Sequence, residues 1–165
     1  MKKLFLMVLL FAPMTMFAQK FGHVNSQEII QAMPEFAKAQ SEIEALQKQY
    51  ESDLKSMVDE LNRKGEAYEK EKATLPDNVK ERRQQELAEM QQKIQQSYDD
   101  NSKALQQAQS EKMQVITTKI RQAVESVGQA GGYVYIMDTS SGIPYISTTL
   151  SKDVTAEVKT KLGLK

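Results

Sequence analysis

From Glu35 to Val127 the apolar positions return every three or four residues. Phe36, Ile43, Leu46, Tyr50, Leu54, Met57, Leu61, Tyr68 and Leu75 form one series. Val79, Leu87, Met90, Ile94, Tyr98, Leu105, Met113, Ile116, Ile120, Val124 and Val127 form a second. Such spacing puts each series on a narrow stripe of an α-helix, as in a helix–helix seam. The step from Tyr50 to Leu54 shifts the heptad phase, so the pattern is not one uninterrupted coiled coil. Gln, Glu, Lys and Ala fill the positions between, and all are good helix formers. The stretch holds one Gly, Gly65, and one Pro, Pro76. Two long helices are predicted.

Pro76 decides how they are joined. It has no N–H to donate and drives Leu75 out of the α region. Asp77 or Asn78 then caps a returning helix, with Glu81 near its start. The expectation is an antiparallel hairpin over residues 35–127 with its tip near 75–78; one continuous rod is the alternative that Pro76 disfavours. An outgoing arm of about 40 residues spans roughly 60 Å at the helical rise. Gly65 is a weak point in that arm.

The flanking segments, 19–34 and 128–165, read differently. Phe21-Gly22-His23-Val24, Tyr133–Met137 and Pro144–Thr148 are rich in β-formers, and Thr139-Ser-Ser-Gly142 has turn composition, which predicts a hairpin of the last two runs. Asn25-Ser-Gln-Glu28 has the form of a capping box for a short helix through Ile29 and Ile30. A final helix is expected over residues 153–162, stopped by Gly163. The fold class is therefore α+β: a small β-rich head carrying a long helical hairpin. A head this size, without disulfide or metal, sits near the lower limit for independent stability, and its strands have open edges. Oligomerisation repairs both defects. Val24, Val134, Ile136 and Ile146 are the candidate assembly residues, with Ile136 expected to be buried on a central strand.

Residues 1–18 carry a different signal. Lys2 and Lys3 precede the apolar run Leu4–Ala12, Pro13 breaks it, and Met16-Phe17-Ala18 ends on a small residue. This is the pattern of a secretory signal peptide cleaved near Ala18. The run is too short for a bilayer span, which needs about 20 apolar residues. The full chain of 165 residues balances 22 bases against 22 acids. Cleavage removes two bases and no acid, leaving a net charge of −2. A periplasmic location is expected, where no nucleotide supply is available. The charge gives no global reason for nucleic-acid binding.

Little chemistry is left to the chain. It has no Cys and a single His, which removes thiol nucleophiles, thiolate zinc sites and two-histidine metal motifs. Asp138-Thr-Ser-Ser-Gly142 is close to the Asp-Thr-Gly turn of aspartic proteases, but Ser140 stands where Gly is needed and no second copy exists. That chemistry requires two carboxylates sharing a proton. A turn is the better reading, and His23, beside Val24 in a β-run, reads as a packed or surface residue. No enzyme activity, metal or cofactor is expected. Lys80, Arg82 and Arg83 form a basic tip, either a solvated helix face or an attraction for acidic lipid headgroups or an acidic client. Tyr50, Leu61, Tyr68, Leu75 and Tyr98 are the candidate contacts for an adaptable apolar partner.

Four segments of the chain are similar to one known family. Val24-Asn25 closes the first strand, and Lys119-Ile-Arg-Gln-Ala-Val-Glu-Ser-Val127 ends the return helix. Tyr133-Val-Tyr-Ile-Met-Asp138 and Ser151-Lys-Asp-Val-Thr-Ala-Glu-Val-Lys159 complete the set. Together with the architecture they resemble the OmpH/Skp family of periplasmic chaperones. The resemblance implies a homotrimer with a small β-barrel body and three helical hairpins around a cavity. It further implies that unfolded outer-membrane β-barrel proteins are held there in transit, without nucleotide. Well-known members are strongly basic, and this chain is not. Apolar contact, spread thinly over several arms, is accordingly the expected basis of client binding. A structural coiled-coil spacer of the cell envelope is the alternative.

Overall fold

The computed structural model describes residues 19–164, and the export signal read at residues 1–18 lies outside them. The elements follow in the order β1 (Lys20–Val24), α1 (Ser26–Ala32), α2 (Pro34–Glu71), α3 (Asp77–Gly131), β2 (Tyr133–Asp138), a 3-10 turn (Thr139–Ser141), β3 (Ser151–Asp153) and α4 (Thr155–Lys161). The backbone divides into two units, residues 19–27 with 122–164 and residues Glu28–Arg121.

The second unit is built on α2 and α3. Pro34 opens α2 at its first position, where a missing N–H costs nothing because that donor has no intrahelical partner. The helix closes with the Lys72 N–H donating to the Tyr68 carbonyl at 2.8 Å. Thr74 then bonds back to the Glu71 carbonyl through both its N–H and its hydroxyl. α2 has already stopped at Glu71, and at the break the N–H groups of Val79 and Lys80 both reach the Pro76 carbonyl at 3.0 Å, so the proline oxygen starts the next helix. The helices run antiparallel. Lys119–Glu35 at 2.8 Å and Lys112–Glu42 towards one end, and Lys64–Glu86 at 2.5 Å and Arg83–Glu71 at 3.6 Å towards the other, mark their register. Ile29, Ile30, Met33, Ile116 and Ile120 are the buried apolar residues towards one end, and Tyr68 is buried towards the other.

The first unit contains a sheet of order β2-β1-β3, with β1 parallel to both neighbours. This corrects the expected hairpin. Residues 144–148 form no strand; the 3-10 turn and a left-handed Gly142 at φ 77° lead the chain away from β2. A parallel arrangement needs a crossover rather than a tight turn, and the chain returns on the far side of β1 as the short, polar strand Ser151-Lys-Asp153. The central strand is therefore β1, not the run containing Ile136. Return helix α3 likewise continues past Val127 to Gly131, where Gly132 at φ 64° turns it out.

α4 packs against β1 through named polar contacts as well as through buried Val154 and Val158. The Val154 N–H donates to the His23 carbonyl at 2.9 Å. Thr155, itself buried, donates its hydroxyl to Asp153 at 2.6 Å and accepts the Asn25 N–H at 3.0 Å. Among the described residues no buried side-chain polar atom lacks a hydrogen-bond partner, so the cost of burying the Thr155 hydroxyl is offset. The helix ends as expected: Gly163, at φ 74°, donates to Thr160 and Leu164 donates to Lys159, the paired bonds of a Schellman stop.

Candidate functional site

Two surfaces stand out, one in each unit. In the hairpin unit the seam is thin. Phe36, Ile43, Leu46, Tyr50, Leu54, Met57 and Leu61 are half-buried and alternate with exposed polar residues. Opposite them Leu87, Met90, Ile94, Leu105 and Met113 are half-buried as well. Two helices alone cannot enclose a stripe of this length, because a single partner covers only one side of it. The seam also takes up polar residues: Ser97 and Asn101 occupy half-buried positions where a filled coiled coil would carry aliphatic side chains. Near one end an opening of about 220 Å³ is lined by Phe36, Ala39, Ile43 and Met113.

The candidate contacts separate into three groups. Tyr50, Leu61 and Leu75 are half-buried along the hairpin. Tyr68 is turned inward, with 7% of its surface exposed, and offers little to a partner. Tyr98 is 60% exposed because the seam passes through Ser97 instead, leaving the ring on the outside of the pair. Val58 and Val115, which the apolar series omitted, are also exposed. Their signal was in the sequence, as β-branched residues one step away from seam positions.

Two of the three tip bases, Lys80 and Arg83, are paired within the chain. Lys80 pairs with Asp77 at 3.1 Å, Arg83 with Glu71 at 3.6 Å and Lys72 with Glu69 at 2.6 Å. The Glu69 hydrogen bond raises the Lys72 pKa above its ordinary value, and bonds to Glu86 and then Glu60 do the same for Lys64. Hydrogen bonds from Lys119 and Lys112 hold Glu35 and Glu42 below the usual carboxylate value. These groups all stay charged near neutrality, so the pairs serve to set register and occupy charge rather than to switch.

The second surface belongs to the sheet. β2 is an edge strand carrying exposed Val134, Tyr135 and Met137, at 58%, 50% and 43%. Tyr135 lies against Phe21 of β1, ring centroids 4.8 Å apart, and the His23 ring bonds the Ser151 hydroxyl at 2.9 Å. Exposed Tyr145 and Leu150 follow in the crossover. The four assembly candidates are scattered by this arrangement. Val24 is 3% exposed inside its own unit, since it lies on the central strand. Ile136 is half-buried on the edge strand, its Cδ1 at 3.5 Å from where a Gly128 side chain would begin. Ile146 is half-buried outside any strand, and Val134 alone is openly presented.

Asp138 is structural. It accepts hydrogen bonds from the Ser26 hydroxyl and N–H and from the Ser140 N–H and hydroxyl. Burial works to raise its pKa, and those bonds outweigh burial and hold it below the ordinary 3.8. A carboxylate consumed in this way has no proton to share. Among the described residues no three His, Cys, Asp or Glu side chains gather into a metal-holding group, and no helix is long and apolar enough to cross a membrane.

Comparison with known proteins bears on the family and the fold. The chain matches the model of the family described as "Outer membrane protein (OmpH-like)" over residues 20–162, and it belongs to that family. It is 27% identical over 139 residues to the chaperone protein Skp of Vibrio cholerae, a match covering 75% of this chain and 73% of the relative. Its fold is similar to that of a Caulobacter crescentus protein described as an OmpH-like outer membrane chaperone. That similarity has a TM-score of 0.75 at 13% identity and covers 87% of this chain and 83% of the other. These relatives are named as chaperones, not as enzymes.

Proposed function

We propose that this protein is a periplasmic holdase that keeps unfolded outer-membrane β-barrel proteins from aggregating, without nucleotide. The observation that carries the reading is the long hairpin with an apolar seam that its own two helices leave half-open. Weak apolar contacts distributed along a surface capture many different unfolded segments and release each easily. Several hairpins around one cavity convert those weak contacts into slow escape.

Assembly supplies the several hairpins. The exposed edge strand β2, with Val134, Tyr135 and Met137 beside it, is a surface for further copies of the chain. A homotrimer with a shared β-barrel body is the arrangement we infer. A coiled-coil spacer is less well supported, since Ser97 and Asn101 interrupt the seam that a spacer would fill. The test is to dilute an unfolded β-barrel membrane protein from denaturant into buffer containing the purified protein and no ATP. Suppressed light scattering at stoichiometric concentration is expected; unchanged aggregation would overturn the holdase reading.

A further inference from the structure

One flank of the α2–α3 pair carries a groove that helix packing does not require. Leu61, Gly65 and Leu87 line it, and its volume is about 670 Å³. Gly65 lies inside α2 without a positive φ, and a Cβ added to it would meet nothing within 4 Å. Neither backbone conformation nor crowding calls for glycine there, although glycine weakens a helix relative to alanine. What the missing side chain does is leave the groove open.

Exposed Val58 and Tyr98 extend the same flank. Each follows a seam residue, Met57 or Ser97, by one step. On antiparallel helices an equal rotation away from the seam leads to the same side. The ion pairs Lys112–Glu42 and Lys64–Glu86 set the level, bringing Val58 and Tyr98 within about one helical turn of each other along the pair. The flank is also acidic. By helical position Asp59, Glu66 and Asp99 border it against Lys55 and Lys70, a small acidic excess once Glu69 is set against Lys72. Glu69 is paired with Lys72, whereas Asp59 and Glu66 have no ion-pair partner among the described residues.

We propose that this flank holds an unfolded polypeptide segment and selects segments in which Lys or Arg flanks apolar side chains. The proposal rests on the holdase reading and adds a preference to it. An apolar side chain enters the groove over Gly65, and the cation lies against Asp59 or Glu66. The aliphatic stem of Lys or Arg, with its charge, suits the exposed ring of Tyr98.

Two unstructured fluorescent peptides with the same Leu and Phe residues test this, one flanked by Lys and the other by Glu. Anisotropy with the purified protein should show the Lys-flanked peptide binding about fivefold tighter at low salt, with the difference shrinking at high salt. Gly65→Leu should raise the melting temperature yet weaken both peptides, an opposition that a merely structural glycine would not produce. Tyr98→Ser, a surface change, should weaken both peptides without altering melting. Asp59→Asn with Glu66→Gln should erase the preference. Equal binding of the two peptides, or wild-type binding by both Gly65→Leu and Tyr98→Ser, would overturn the proposal. Aggregation protection, measured on the same preparations, separates the two readings. Protection without peptide preference removes this inference alone, and absent protection removes the holdase reading with it.

Discussion

Asp138 and Ser26 meet across 112 positions of sequence. The Ser26 hydroxyl donates to Asp138 Oδ2 at 2.6 Å and its N–H donates to Oδ1 at 3.2 Å. The same Oδ1 accepts the Ser140 N–H at 3.0 Å. One carboxylate thus holds the start of α1 beside the turn that follows β2.

Removing it should be costly. Asp138→Ala should lower the stability of the fold by about 2 kcal/mol, the scale of hydrogen bonds to a charged group, and Asp138→Asn by less. Denaturant unfolding monitored by circular dichroism measures this, and a loss within error of zero would show that the contact contributes nothing. Asp153 is in the same position: burial opposes its ionisation, but bonds from the Thr155 hydroxyl and N–H keep its pKa below 3.8. A carboxylate with a depressed folded pKa stabilises fully above its unfolded pKa. That contribution disappears as pH falls through the folded value. Stability should therefore be level at neutral pH and decline below about pH 4. Asp138→Asn should flatten part of that decline.

Two helical glycines should respond oppositely to alanine. A Cβ on Gly131 would run into the Tyr133 ring, so Gly131→Ala should destabilise by about 1–3 kcal/mol as an overpacking change. Gly65→Ala meets open space and should stabilise by up to about 1 kcal/mol. Thermal melts of both variants under one condition check the contrast.

Assembly should respond to the edge strand rather than to the interior. Val134→Asp or Tyr135→Asp puts a charge on a surface that copies of the chain would bury, at a cost of several kcal/mol per unpaired ion. Sedimentation equilibrium at micromolar concentration should show these variants shifted toward monomer while their helix content is retained. A wild-type protein that is already a folded monomer would refute the trimer reading.

The basic tip should matter little. With Lys80 and Arg83 already paired to Asp77 and Glu71, replacing Lys80, Arg82 and Arg83 together by Gln should change client affinity less than about threefold, under 1 kcal/mol. A tenfold loss in a client-binding titration would make the tip the principal capture site.

The helices were readable in the chain because period and punctuation agree. Apolar steps of three and four, Pro76 before a helix start, and Gly163 after the last turn each have one physical meaning. The sheet was not. Ser151-Lys-Asp153 has no strand composition, and it pairs only because β1 presents free N–H and C=O groups at that level. Pro144–Thr148 has the composition and no such partner. The seam residues of the hairpin were legible, but the exposure of Tyr98 was not, since neighbouring Ser97 gives no apolar mark to the stripe that passes through it.

Order of synthesis gives the sheet topology a further meaning. A chain is made from its N-terminal end, and β1 is complete long before either partner, Tyr133–Asp138 or Ser151–Asp153, exists. The middle strand must wait with both edges unpaired while the intervening helices are produced. Contacts this distant form late and slowly. The hairpin, whose neighbours lie closer in sequence at its tip, should close first. During that interval the nascent protein carries a strand, Lys20–Val24, whose two edges only residues 133–153 of the same chain will pair.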